Sequence, residues 1–167
     1  MGKRSRGRRS ILRRAALLLI PVSILVVAVI YMAGIGGSGD RSIDLSGLSI
    51  TLYKSPACVC CTRYAGYLSS LGAEVGVRVI DDIDGLMDKL GIPVELRSCH
   101  VSIVEGYLIV VGHVPAEAIK KLINEKPNIK GISLPGMPQG SPGMPGSKEE
   151  PFIIYSFDGS IKVFAVL

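Results

Sequence analysis

Apolar positions recur along this chain with more than one period, and each period predicts a different kind of element. From Ala15 to Ala33 the run "AALLLIPVSILVVAVIYMA" carries no charged side chain. Its roughly 20-residue length suits a helix that crosses the hydrocarbon layer, and Pro21 lies near one end, where neighbouring groups or water satisfy the freed carbonyl. Further on, "LSITLYK" (Leu48 to Lys54) alternates polar and apolar residues and predicts a strand. Thr62 to Leu71 then sets Tyr64, Ala65, Leu68 and Leu71 at helical spacing before Gly72. Val75 to Ile80 reads as a second strand, and Asp82 to Leu90 as a short helix stopped by Gly91 and Pro93. Val101 to Val104 and Tyr107 to Val111 flank Glu105 and Gly106 as a hairpin. Pro115 opens a last helix whose buried stripe is Ile119, Leu122 and Ile123.

Strand, helix, strand, helix, hairpin, helix is the order of a thioredoxin-like α/β domain. After it, Pro127 to Pro151 has no apolar period and contains "PGMP" twice, at Pro135 to Pro138 and Pro142 to Pro145. That density of proline and glycine predicts an extended loop with no regular element, wrapped on the domain. "FIIYSF" and "SIKVFAV" around Asp158 and Gly159 predict a terminal β-hairpin. The organisation expected is a basic cytoplasmic arm (1–14), one transmembrane helix acting as signal anchor (15–33), a flexible Gly/Ser tether (34–47) and a folded domain (48–167).

Charge sharpens this picture. Lys3, Arg4, Arg6, Arg8, Arg9, Arg13 and Arg14 precede the apolar run with no acid among them. Basic residues beside a first span stay inside, which puts the N-terminus in the cytoplasm and the folded domain on the outer face of the cell membrane. Twin-arginine export through "RRSIL" or a cleaved signal peptide competes with this reading. The apolar run is longer than the usual cleaved core and no clear A-x-A site follows it, which favours an uncleaved anchor. The arm holds seven of the nineteen Lys and Arg; the remaining twelve face fourteen Asp and Glu, so the rest of the chain carries a net −2. Such a domain is no general phosphate binder, and nucleic acid is not an expected partner.

The chemistry sits in "SPACVCC", Ser55 to Cys61, which holds three of the four cysteines. Cys58 and Cys61 have Cys-x-x-Cys spacing, and Cys61 falls at or near a helix start, where free N–H groups and the helix dipole favour thiolate. Cys60 adds a third thiol for which plain disulfide exchange has no obvious use. Cys99 is followed directly by His100, and the second histidine is His113. Against the glutaredoxin pattern, His100 falls about where the cis-proline stands, in a loop that faces the Cys-x-x-Cys turn. Cys58, Cys61 and Cys99 or His100, with Cys60 as a further candidate, would then form a soft donor set suited to Cu(I) first and Zn(II) next. Strand alternation sends Cys99 and His100 to opposite faces, which leaves one of the two as a direct ligand. His113 reads as a residue at the start of the Pro115 helix whose ring bonds backbone.

Three stretches, "YKSPACVCC", "LRSCHVSIVEGYLIVVGHVPAEAIKKL" and "GISLPGMPQGSPGM", resemble the signature blocks of the domain-of-unknown-function family four-eleven, CopG-like metal-binding proteins linked to copper resistance. The resemblance spans Ser49 to Phe164 and implies an extracytoplasmic copper-handling protein. Val59 stands where the family usually has Gly, Tyr64 where it often has Trp, and the N-terminal anchor is an addition.

The expected function is Cu(I) binding for sequestration or for transfer to a partner protein, without catalysis. Two rivals stay open. One is a thiol-disulfide oxidoreductase in which Cys58 attacks and Cys61 resolves; the other is two structural disulfides. Met137 and Met144, in the repeated "PGMP", offer thioethers as secondary copper contacts, against a role as gap-fillers. Asp81, Asp82, Asp84 and Asp88 lack the spacing of a calcium loop and read as a helix cap and a solvated face. No Ser-His-Asp order, phosphate-cradling glycine loop or paired acid and base emerges.

Overall fold

In the computed structural model, which describes residues 43–167, the alternation of the first strand becomes a buried face. The basic arm, the apolar run and the tether up to Ser42 lie outside the described residues; among the described residues no helix is long and apolar enough to cross a membrane. β1 (Ser49–Lys54) buries Ile50, Leu52 and Lys54 on one side. It is followed by α1 (Val59–Ser70), β2 (Glu74–Val79), α2 (Ile83–Lys89), a 3-10 turn (Val94–Leu96), β3 (His100–Val104), β4 (Leu108–Val111), α3 (Ala116–Glu125), β5 (Gly131–Ser133), β6 (Ile153–Phe157) and β7 (Ile161–Val166).

The described residues form a mixed α/β unit built on one seven-stranded sheet, ordered β2-β1-β3-β4-β5-β6-β7. β1 runs parallel to β2 and antiparallel to β3, and β3 is antiparallel to β4. β4 and β5 are parallel, and β5, β6 and β7 pair antiparallel. Two apolar layers cover the sheet. Cys61, Tyr64, Ala65 and Leu68 of α1 join Ala118, Ile119 and Leu122 of α3 against Ile50, Leu52, Val104, Val110, Ile132 and Ile154. Met87 of α2, with Ile92 and Leu96, meets Val101, Ile109, Val111 and Phe157 on the other side. Strands covered on both faces lose their alternation, which is why β4 is buried at every position. Truncating a wholly buried Leu68 or Leu122 to alanine would cost about 2–5 kcal/mol.

Beyond shifts of a residue or so at element ends, three departures from the sequence reading each have a physical reason. α1 starts at Val59, ahead of Thr62, because Cys58 caps it. The Pro/Gly region, expected to hold no regular element, contains β5: Ile132 is wholly buried in the core layer, and pairing with β4 and β6 holds a strand too short to show a period. Gly131 is required there, since a Cβ would lie 2.3 Å from the Ile109 carbonyl oxygen. At the other end the folded unit takes in Ile43–Gly47, the last part of the tether, because Leu45 is buried and its N–H donates to Leu71 O at 2.7 Å.

Candidate metal centre

Three segments meet at the C-terminal ends of β1 and β4 and the start of β3. In the first, the chain leaves β1 through a tight turn in which the Cys58 N–H donates to Ser55 O at 3.2 Å. Cys58 then caps α1, its Sγ accepting from the Cys61 N–H at 3.3 Å, in the role that Ser or Asp usually plays. No acid stands in the first helical turn, so its positive end faces sulfur. Beneath the turn the buried Lys54 ammonium donates to the carbonyls of Ser55, Pro56 and Cys58 at 3.2, 3.4 and 2.9 Å.

The second segment is the Ser98–Cys99–His100 corner, anchored upstream where Arg97 pairs with Asp88 and donates to Ile92 O. The third is His113, just past β4. Gly112 lets these two approach: its φ is +76°, and a Cβ there would lie 2.6 Å from Leu134 O and 2.9 Å from Ser98 Oγ. His113 Nδ1 donates to Pro142 O at 2.6 Å, a bond to a carbonyl that fixes the proton on Nδ1 and leaves the Nε2 lone pair free. The Pro/Gly loop closes over this point, since Gly143 sits so near α1 that a Cβ would be 2.8 Å from Tyr64 N and 3.1 Å from Cys60 O.

The resulting sulfur and nitrogen spacings are short. Cys58 and Cys61 form a disulfide, while Cys60 and Cys99 are free thiols. Cys60 Sγ lies 3.4 Å from Cys58 Sγ and 3.9 Å from Cys99 Sγ, and Cys61 Sγ lies 3.5 Å from Cys99 Sγ. Cys99 Sγ is also 3.4 Å from His100 Nδ1 and 3.5 Å from His113 Nε2. Sulfurs on one tetrahedral ion, each bonded at about 2.3 Å, stand about 4 Å apart. Two groupings meet that condition, Cys58, Cys60, Cys61 and Cys99, and Cys99, His100 and His113, each within 4.8 Å; Cys99 belongs to both.

The electrostatics suit neutral nitrogen and sulfur donors. Burial, helped by neighbouring His113, pushes His100 down to about 3, and burial lowers His113 as well, so both imidazoles keep their lone pairs at neutral pH. Burial, with Cys60 alongside, pushes the Cys99 thiol up to about 12, so a metal binding there must displace a proton. His100 is wholly buried; its Nδ1 faces Cys99, and its other ring nitrogen, Nε2, has no hydrogen-bond partner, a buried polar atom that costs stability. Tyr64, His100 and His113 form a tight aromatic group, with ring centroids 4.9–5.2 Å apart. The Tyr64 hydroxyl donates to Val114 O at 2.7 Å.

Of the residues expected from sequence, Cys58, Cys60, Cys61, Cys99 and His100 therefore converge. Cys99 and His100 do not exclude each other: β3 begins at His100, so Cys99 precedes the alternating part and both side chains reach one point. His100 follows an ordinary trans peptide, as no cis bond occurs among the described residues. The even cysteine count does not produce two disulfides. His113 bonds backbone as expected, yet the same ring also faces Cys99. Met137 and Met144 are half-buried in the covering loop. The acids form no cation site: Asp82 caps α2 through the Gly85 N–H, and Asp88 pairs with Arg97. Lys54, which sequence reasoning passed over, is the other contributor; a lysine at an inward position of an alternating strand was the available signal.

Residues 96–144 match the family described as "Protein of unknown function, DUF411". Two solved structures, "Copper resistance protein copG" in Form 1 and Form 2, superpose with TM-scores of 0.65 and 0.66 at 33% identity. They cover 71% and 72% of this chain, and 96% and 98% of their own. The chain belongs to this family. No curated protein matches it. The DUF411 match runs from the 3-10 turn to the covering loop and so includes Cys99, His100 and His113, whereas the thiol turn of β1 and α1 precedes it.

Proposed function

We propose that this chain is a membrane-anchored, extracytoplasmic protein that binds Cu(I) as cargo, holding it or passing it to a partner protein, and that it acts by binding and not by catalysis. The observation that carries this reading is the position of Cys99 Sγ, within 3.9 Å of Cys60 Sγ, Cys61 Sγ, His100 Nδ1 and His113 Nε2. Thiolate and neutral imidazole are soft to intermediate donors, which suit Cu(I) best and Zn(II) next. The copper resistance proteins of similar structure support copper over zinc. Reduction of the Cys58–Cys61 disulfide by two electrons would raise the available thiols from two to four. Met137 and Met144 would add thioethers from the covering loop. The strand order β2-β1-β3-β4, with β1 and β2 parallel and the others antiparallel, supports a thioredoxin-like core to which β5–β7 are added. The uncharged run 15–33 behind its basic arm supports the anchor.

A thiol-disulfide oxidoreductase is the second reading, and the Cys58–Cys61 disulfide favours it. The full-length chain in detergent, reduced and free of metal, separates the two. Copper uptake in competition with a Cu(I) chelator, with little insulin reduction, is the expected outcome. Rapid insulin reduction without stoichiometric copper would reverse the assignment.

A further inference from the structure

Lys54 is the only lysine or arginine that is buried among the described residues, 7% exposed at the end of β1. An ammonium out of water is costly unless its charge and its donors are both satisfied. Its donors are satisfied, by the carbonyls of Ser55, Pro56 and Cys58. Its charge is not: the ion pairs of the described residues are Arg97–Asp88 and Lys121–Glu125, and neither includes Lys54. The three acceptors belong to the turn that carries Cys58 and leads into Cys60 and Cys61. Across the sheet the residue paired with Lys54 is His100, so the strand position that carries the cation adjoins both the thiol turn and the start of the imidazole half.

A centre made of several thiolates around a monovalent ion is anionic, and this site holds no carboxylate that would add to that charge. We propose that Lys54 is a positioning residue of the metal centre: it fixes the carbonyls of the thiol turn and supplies the positive charge that a multi-thiolate centre needs once its protons have left. This role rests on the metal-binding reading above. It also accounts for a buried lysine in a strand whose other inward residues, Ile50 and Leu52, are aliphatic.

The test compares Cu(I) affinity of the reduced full-length chain with that of three variants, beside the melting temperature of each without metal. Lys54→Met keeps the apolar stem and loses both donors and charge. Lys54→Gln keeps a donor for the carbonyls and loses only charge, and Lys54→Arg keeps charge. The expected result is affinity about tenfold lower in Lys54→Met and Lys54→Gln, the size usual for groups that support metal ligands, with most of it restored in Lys54→Arg. Wild-type binding with Lys54→Gln unchanged would overturn the charge role. Loss in all three variants that tracks a lower metal-free melting temperature would also overturn it, reducing Lys54 to a structural staple. A wild-type chain that takes up no Cu(I) would remove the metal reading itself, and this role with it.

Discussion

The two halves of the donor set are built in opposite ways. The sulfur half comes from one local turn: Cys58, Cys60 and Cys61 lie within four consecutive residues, Cys58 and Cys60 are half-buried, and Val59 between them is 66% exposed. The imidazole half comes from distant parts of the chain. His100 and His113 are wholly buried, packed at tilted angles against Tyr64, and held by Gly112 and by a carbonyl from the covering loop. One half is open and changes its ligand count through a disulfide; the other is closed and neutral at any pH near 7. A soft metal bound here would meet redox-variable sulfur on one side and fixed imidazole geometry on the other, with Cys99 between them.

That division is breakable in three steps of decreasing size. Cys99→Ser removes the donor common to both groupings and should weaken Cu(I) binding on the order of 100-fold or more, above the range for supporting groups; an affinity within threefold of wild type would mean that the halves act separately. Gly143→Val drives a side chain into Tyr64 N and should lift the covering loop, freeing His113 from Pro142. Affinity about tenfold lower with the fold intact by circular dichroism is expected. Unchanged affinity there would show that the imidazole half needs no cover. Tyr64→Phe leaves the Val114 carbonyl without its buried donor and should cost about 1–2 kcal/mol in urea unfolding, with copper affinity within twofold of wild type. A larger loss of affinity would make Tyr64 part of the centre's support.

The same contrast explains what the sequence discloses. The thiol turn is legible because its spacing and its cap are local, and strand and helix periods in β1, α1 and α3 survive because each buries one face against a covered sheet. His113 is only half legible: its backbone bond is expected from its place, but its facing of Cys99 depends on Gly112 and on Pro142, which is 29 residues away. β5 is hidden because three residues buried on both sides have no alternation to display. Lys54 falls on the inward parity of β1, a sign left unused because its value lies in carbonyl positions that only the folded turn creates.

The covering loop has its two feet on neighbouring strands. β5 leads into it, β6 receives it, and Ser133 pairs with Tyr155 at its base. Because those ends are already clamped together, lengthening the span between them raises closure entropy slowly, by about 0.6 kcal/mol for each doubling. The flanks of the roof are therefore open to change in length: segments could be added between Leu134 and Pro142, or between Met144 and Phe152, to retune access to the imidazoles, so long as the Pro142 carbonyl stays on His113 and Gly143 stays against α1.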